Sequence, residues 1–405
     1  MRVGSMCSGM ASETLCLVGI EKAIPGFKWH LAFWAESTPI KATLLSDRHP
    51  NAIGVRDVCA MDKPTVRDFK NALVDNPDCD MLVIGTSCKD LSPMTSSPKS
   101  IEGDGESGRT LRGFLAYLRA KPFERRPRKI VFENVRNISN HRVVEPGARR
   151  AIEYVIEELD VLGYTSAWRL LNALEFGLPQ HRSRVHLFAI LRHELSPDAA
   201  RAVASKVIEI LERFRNKTEI TSLEDVIDHL GSEAERPVSK KSDAPLQRIA
   251  KADHKAFIRK NTMHDISKRD RTEFMNALQG VVTCERSREA LFLKVLTKEK
   301  RRGWKWTKDL LVSNIGQSIG FMVLMNGVCP TVKPGGPYLV FRDGRVFVAS
   351  ARLVLALQGV SNPEACYYKL TKNEVSASLL HNFAGNGFNC NVMVAAIIAV
   401  LVGSA

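Results

Sequence analysis

The sequence has no Cys-x-x-Cys pair, no His-Glu-x-x-His and no His-x-x-x-His. Nine cysteines, an odd number, are scattered from Cys7 to Cys390, which fits neither a disulfide framework nor a structural zinc site and points to a reducing compartment. His181 and His186 read as one strand-flanking and one strand residue, so no metal is expected. Long hydrophobic runs are also missing. The most apolar stretch, Val392–Val402, is about half as long as a bilayer span, and the N-terminus Met-Arg-Val-Gly-Ser-Met has no signal-peptide core. Membrane and secreted settings are set aside on these grounds. Internal repeats and low-complexity tracts are absent too.

What remains is an ordinary globular balance, with 44% hydrophobic and 25% charged residues over 405 positions, enough for two or three domains. The 58 Lys and Arg exceed the 44 Asp and Glu, leaving a formal charge of +14. That excess is concentrated. Between Lys251 and Lys308 there are 16 Lys and Arg against 7 Asp and Glu. The densest part, Lys298–Lys308, sets Trp304 and Trp306 among Lys300, Arg301, Arg302 and Lys305, a pattern suited to phosphate contact plus stacking against bases, or to a solvated helix whose tryptophans enter the core.

The first 190 residues alternate strand-length apolar runs (Leu31–Ala35, Met81–Ile84, Ile130–Phe132, Val185–Ile190) with helical patterns. The clearest helix spans Arg149–Leu162, with Gly163 as its left-handed cap. This alternation predicts an α/β fold with a doubly wound sheet, whose ligands sit beyond the carboxyl ends of the strands. The residues after those runs are therefore the ones with chemical potential. Cys88, in the turn Gly85-Thr86-Ser87-Cys88, is a candidate nucleophile, with a small buried hydrophobe as the alternative. Its neighbours Lys89 and Asp90 would push its thiol in opposite directions. Glu133 follows an adjacent run and suits an acid near neutral pH, unless it pairs with Arg136 or caps the following segment. Gln180, Arg182 and Arg184 alternate onto one side, where the guanidiniums suit a phosphate or a carbonyl oxygen, with a solvated basic edge strand as the alternative. The loop from Cys7 has only Gly9 as a close-packing glycine, while Glu36 suits ribose hydroxyls and Asp57 an adenine amine.

In this order the pieces resemble the DNA cytosine C5-methyltransferase family, which uses S-adenosylmethionine. Met6-Cys-Ser-Gly-Met-Ala11 is similar to the family's first motif, Gly85-Thr-Ser-Cys88 stands at its nucleophile loop, and Phe132-Glu-Asn-Val135 and Gln180-His-Arg-Ser-Arg184 match two further motifs. Cys329-Pro-Thr-Val-Lys333 resembles the end of the target-recognition domain, and Arg352–Gly359 and Ala384–Phe388 resemble the last two motifs. The resemblance covers about residues 1 to 190 and 310 to 402.

The resemblance implies a Rossmann-like methyltransferase sheet with an inserted target-recognition domain, divided as 1–190 catalytic, 191–345 basic and 346–405 returning to the catalytic part. It implies a Cys88 thiolate adding to C6 of a flipped cytosine in double-stranded DNA, Glu133 protonating N3, Arg184 on the base and Arg182 supporting the loop or a phosphate. The cofactor would meet Cys7, Gly9, Met10, Glu36, Asp57 and Asn386. Nucleic acid would meet Lys89, Ser92, Gln180, Lys300, Arg301, Arg302, Trp304, Lys305 and Thr331. Such a chain belongs in the nucleus of a eukaryote, or in the cytoplasm of a bacterial or viral host. It begins at its first strand and is expected to be a minimal enzyme or a fragment. Ser87 replaces the family's proline, Lys89 a glutamine and Cys7 an aromatic, while Ala11 replaces a loop glycine and is expected to crowd the cofactor. An RNA cytosine methyltransferase, an idle DNA-binding paralogue and a nicotinamide-dependent dehydrogenase are the alternatives at this stage.

Overall fold

A strand covered on both faces is apolar without alternation, whereas a helix lying on that sheet repeats its apolar side chains every three or four residues. The computed structural model contains both, and it describes residues 1–7, 9–92, 99–140, 150–193, 195–236, 268–282, 285–315, 322–360 and 376–404. Ser8 of the first loop and residues 251–267 of the basic segment lie outside them. In chain order the strands are β1 (Arg2–Met6), β2 (His30–Ala35), β3 (Ile53–Val55), β4 (Thr65–Arg67), β5 (Leu73–Asp75), β6 (Met81–Ile84), β7 (Lys129–Val135), β8 (Tyr164–Asn172), β9 (Gln180–His181), β10 (Ser183–Leu191), β11 (Leu311–Asn314), β12 (Leu324–Asn326), β13 (Cys329–Pro330), β14 (Tyr338–Arg342) and β15 (Arg345–Val348). The helices are α1 (Ser12–Ala23), α2 (Pro39–Arg48), α3 (Glu106–Ala120), α4 (Ala151–Val161), α5 (Pro197–Lys217), α6 (Leu223–Leu230), α7 (Lys268–Gln279), α8 (Glu285–Arg302), α9 (Ala351–Ala356), α10 (Ala377–Asn386) and α11 (Cys390–Gly403).

Seven strands form the main sheet in the order β3-β2-β1-β6-β7-β10-β8. The first five are parallel, and β10 runs antiparallel to both β7 and β8. The chain leaves β1 towards β2 and later returns to the other side of β1 as β6, so the order reverses there and a crevice opens at the carboxyl ends. The period of two in each strand divides the core. Val3, Val83 and Val131 pack with Leu17 of α1, Val207 of α5 and Ile397 of α11. Leu82, Ile84 and Phe132 pack with Phe114 of α3 and Val155 of α4 on the other face. Helix α4 occupies Ala151–Val161 of the expected Arg149–Leu162, of which Arg149 lies outside the described residues, and Gly163 follows at φ +86°.

Helices α5 and α6, which the sequence groups with the basic unit, place Val207, Leu211, Leu223 and Ile227 in the main sheet's core. A second core begins at Phe274 and joins α7 and α8 to a four-stranded antiparallel sheet, β12-β11-β14-β15. Its β14–β15 hairpin turns at Asp343 and Gly344, both at positive φ as such a turn demands. The segment Ala377–Gly403 is long and apolar enough to cross a membrane by length and composition. It is two helices, α10 and α11, and α11 is apolar all round because it lies in the core.

Glu13, in the first turn of α1, is 0% exposed. Burial pushes its carboxyl up to about 7, with the Ser5 hydroxyl, its own backbone and Arg48 opposing. A raised folded value means that the protonated form stabilises the fold fully below 4.5, and that this contribution is lost as pH rises through about 7. Glu13→Gln is therefore expected to gain on the wild type across that window, by up to about 3 kcal/mol at roughly 1.4 kcal/mol per pH unit. Urea unfolding at pH 4, 6 and 8 measures this. A stability gap that does not vary with pH would contradict it.

Candidate active site

The carboxyl ends of β1, β2, β3, β6 and β7 and the amino end of β10 converge on a cavity of about 390 Å³. Parallel strands place the residues that follow them on one edge, and the reversed β10 brings its first residues to that same edge. Cys7 and Gly9 line the cavity after β1, Glu36 after β2, Asp57 after β3, and Cys88 and Lys89 after β6. Glu133 lines it from β7, Arg182 and Arg184 from the start of β10, and Asn386 from the end of α10.

Glu133 pairs across the ladder with His186, so Arg184 is its diagonal neighbour. The Arg184 Nε lies 3.2 Å from the Glu133 carboxylate, and that ion pair replaces the Arg136 pairing considered from sequence. Burial raises the Glu133 carboxyl above its usual range, with Arg184 and then Arg182 opposing. Burial also raises the Cys88 thiol, the Glu133 carboxylate adds to that, and Arg184 and Arg182 pull it back. Sequence neighbours matter less than expected. Lys89 Nζ turns to Glu106 at 2.7 Å, and Asp90 accepts the Ser107 N–H at 2.7 Å, so both charges are engaged with α3.

Arg182 is 4% exposed, and both of its Nη groups donate to backbone carbonyls while its buried Nε has no partner. Nη1 donates to the Val332 carbonyl at 2.9 Å and Nη2 to the Gly387 carbonyl at 3.0 Å. It therefore fastens the start of β10 to the segment after β13 and to the α10–α11 junction, the supporting role the resemblance gave it. Burial, then the like charge of Arg184, pulls its guanidinium down to about 9.

On the nucleoside side the backbone turns left-handed at Cys7, Gly9 and Ala11, with φ of 52°, 56° and 47°. Glu36 anchors this loop by accepting the Gly9 and Thr38 N–H groups, each at 2.8 Å. A Cβ on Gly9 would meet only the Asn386 carbonyl, at 3.8 Å, so that face of the loop is bare. Ala11 does not crowd the cavity. Its methyl is buried against Trp34 and Leu45, and its cost is a left-handed backbone, about 1 kcal/mol. Asp57 accepts the Cys59 N–H at 2.9 Å and pairs with Arg109 at 3.1 Å. Asn386 Nδ2 donates to Asn382 at 3.0 Å, and the Phe388 N–H donates to the Ser12 hydroxyl at 3.1 Å, which brings the C-terminal helices back onto α1.

Several expected contacts lie elsewhere. Met10 is buried in the main core and Gln180, 0% exposed, donates to the Leu357 carbonyl at 3.3 Å. The alternation that would align Gln180 with Arg184 breaks at Arg182, between β9 and β10. The Thr331 hydroxyl donates to the His181 carbonyl at 2.7 Å, and the Ser92 N–H to the Cys88 carbonyl at 2.9 Å; neither residue lines the cavity. Trp306 is core, edge-on to Phe274 with centroids 5.1 Å apart, and Trp304 packs half-buried beside it. The indoles thus gain apolar burial while Lys300, Arg301, Arg302 and Lys305 stay exposed in and just after the last turn of α8, where a helix also favours cations.

Sequence reasoning passed over Asn134, whose Nδ2 donates to the Thr86 hydroxyl at 2.8 Å and ties β7 to the Cys88 loop. Its place beside Glu133 was the available signal. Lys41, Glu106, Arg109, Thr110 and Phe388 line the cavity from helices or their flanks and carried none. The buried Lys41 ammonium makes no hydrogen bond or ion pair with another described residue, and burial lowers its pKa against the pull of Glu36. Among the described residues no group of three His, Cys, Asp or Glu could hold a metal ion. A thiol beside a carboxyl with a raised pKa and a guanidinium can add to an electron-poor ring while protonating it.

The family model for C-5 cytosine-specific DNA methylase matches residues 56–312, more than half of the chain. The chain is 32% identical over 216 residues to the DNA (cytosine-5-)-methyltransferase DMT5 of Cryptococcus neoformans var. grubii, which is 52% of this chain and 8% of that protein. It is 25% identical over 182 residues to the Type II methyltransferase M.NlaIV of Neisseria lactamica, 44% of this chain and 39% of that one. These matches span well under two thirds of either relative. In fold it is similar to the S. pombe Dnmt2 methyltransferase, with TM-score 0.52, 18% identity, and 99% of this chain and 98% of that chain covered. It is also similar to a putative DNA modification methyltransferase of an E. coli prophage, with TM-score 0.51, 13% identity, and 99% and 98% covered.

Proposed function

The chain belongs to the C-5 cytosine-specific DNA methylase family, and from that premise we propose that it methylates C5 of a cytosine extruded from duplex DNA, with S-adenosylmethionine as donor. The observation that carries this reading is the Cys88 thiol, sharing one cavity with the Glu133–Arg184 pair and with the Gly9–Glu36 loop. The fungal relative is named a DNA (cytosine-5-)-methyltransferase, which supports DNA as the substrate.

The residues fit such a donor. Gly9 leaves a bare backbone face, Glu36 and Asp57 offer carboxylates suited to hydroxyls and an amine, and the volume suits a small-molecule pocket. Bound there, S-adenosylmethionine supplies an electrophilic methyl on its sulfonium. The protein's part is to make the ring nucleophilic. Cys88 Sγ adds to C6 as the Glu133 carboxyl gives a proton to N3, so the ring's electron density reaches C5. Arg184 holds the Glu133 side chain and balances the charge it keeps. Once C5 is methylated, its proton passes to solvent water, the C6–Sγ bond breaks as N3 returns its proton to the Glu133 carboxylate, and Cys88 leaves as thiolate. A cytosine inside a duplex cannot reach this cavity, so it must leave the stack.

The exposed cations at the end of α8 are the DNA contact in this reading. Replacing Lys300, Arg301 and Lys305 by Ala is expected to reduce the slope of log K against log salt by about one per lost phosphate contact. Fluorescence anisotropy between 50 and about 200 mM salt measures it; an unchanged slope would place the cluster off the DNA.

The test of the function is transfer of labelled methyl from S-adenosylmethionine to unmethylated duplex, hemimethylated duplex and total RNA in parallel. Label at C5 of cytosine in DNA supports the proposal. Label only in RNA moves the substrate class, and no label despite tight DNA binding overturns the activity.

A further inference from the structure

Cys88 sits between two residues that the same carboxylate holds. The Ser87 hydroxyl donates to Glu106 Oε1 at 3.1 Å, and Lys89 Nζ reaches Glu106 Oε2 at 2.7 Å. Glu106, the first residue of α3, therefore straddles the nucleophile position. The Ser87 N–H, a donor that proline lacks, goes to Thr110 Oγ1 one turn along the helix, at 3.1 Å. The Thr110 hydroxyl donates back to the Glu106 and Ser107 carbonyls, leaving its oxygen free to accept from Ser87. One residue further on, Asp90 and Ser107 exchange bonds in both directions, Ser107 N–H to Asp90 at 2.7 Å and Asp90 N–H to the Ser107 hydroxyl at 3.1 Å. Gly105 has no side chain of its own to cap α3, and a Cβ there would collide with the Asp90 carboxylate. The loop and the first turn of α3 thus complete each other.

We propose that Glu106 is a positioning residue for Cys88, and that the first turn of α3 supplies by hydrogen bonds the constraint that a proline before the nucleophile would supply by its ring. The inference rests on the reading of Cys88 as the nucleophile. The clamp acts through geometry more than through stability. The Lys89–Glu106 pair is largely exposed, and such pairs add little to folding. A nucleophile displaced by about 1 Å, in contrast, can lose on the order of 10²-fold in rate. Ser87 with Glu106 and Thr110 replaces one fixed dihedral by two bonds to a helix whose next turns are buried among Phe132 and Ile84. That anchorage makes the loop's position a property of α3.

The experiment uses the full chain with a 5-fluorocytosine duplex and S-adenosylmethionine, and follows the rate of the covalent Cys88 adduct. Glu106→Ala is expected to slow the adduct about tenfold with the KM for DNA unchanged, and Glu106→Gln, which still accepts from Ser87, by less. Ser87→Ala should slow it as well, and the Ser87→Ala, Glu106→Ala double variant should be no slower than Glu106→Ala, because the Ser87–Glu106 bond that Ser87→Ala removes is already lost in Glu106→Ala. In a Ser87→Pro background the Glu106→Ala loss should shrink below twofold. If Ser87→Pro lowers the melting temperature, Ser87→Thr provides the conservative rescue. The rate of iodoacetamide alkylation at Cys88, resolved by mass spectrometry, reports the loop without DNA and should shift in the same variants. Strictly additive losses, or an unslowed Glu106→Ala adduct, overturn the positioning role. A wild type that forms no adduct while its Cys88 alkylation still depends on Glu106 would leave the clamp standing and overturn the nucleophile reading instead.

Discussion

Cys88→Ala is expected to reduce methyl transfer to DNA by roughly 10⁴- to 10⁶-fold, the scale of losing a covalent nucleophile that acts with its partners as a unit. Duplex affinity should change little, since the variant deletes one sulfur atom from the cavity and leaves the cations at the end of α8 in place. The pair of measurements is labelled methyl incorporation and anisotropy of a fluorescent duplex. Turnover near wild type would remove Cys88 from the chemistry. Lost turnover together with lost binding would instead mean that the loop from Gly85 to Lys89 holds the DNA.

The second large effect is at Glu133. Glu133→Gln keeps the shape and a neighbour for Arg184 but removes the acid, and the expected loss is about 10²- to 10⁴-fold. The pH profile is the sharper readout. Both groups have raised values, Glu133 through burial and Cys88 through burial and the Glu133 charge. The reactive form needs Glu133 protonated and Cys88 ionised, so the wild-type kcat/KM should rise through the carboxyl's pKa, level off, and fall above the thiol's. With glutamine only the thiol titrates, and the curve should keep rising until that thiol is ionised. A second effect follows from charge. Removing the carboxylate leaves Arg184 and Arg182 unopposed beside Cys88, so its alkylation should begin at lower pH in Glu133→Gln. A profile with the same two limbs in both proteins would assign the acid to another residue.

That Cys88 and Glu133 share one cavity was legible because each follows an apolar run of strand length, and a parallel sheet puts every such position on one edge. The same logic located Gly9, Glu36 and Asp57. It failed for side chains whose placement depends on more than the strand that precedes them. Gln180 reads as a neighbour of Arg184 only if one strand runs through both, and the break at Arg182 turns its amide towards Leu357. Trp304 and Trp306 look like stacking residues in a basic string until Phe274, some 30 positions earlier, is seen packed against the second of them. For Cys88 the sequence neighbours Lys89 and Asp90 suggested competing charges, yet both are engaged with α3, and the charges acting on the thiol come from β7 and β10.

Local pattern was thus enough for the doubly wound sheet, the order of its motifs and the placing of Cys88 and Glu133 at the crevice, since hydrophobic period and strand ends are properties of contiguous residues. Tertiary structure alone decided which guanidinium pairs with Glu133, which one is spent on the carbonyls of Val332 and Gly387, and how Glu106 comes to bracket Cys88. Those contacts join residues 17 to 205 positions apart in the chain. Hydrogen bonds and charges act over a few ångströms of space, so their partners exist only once the sheet, α3 and the C-terminal helices have closed around one cavity.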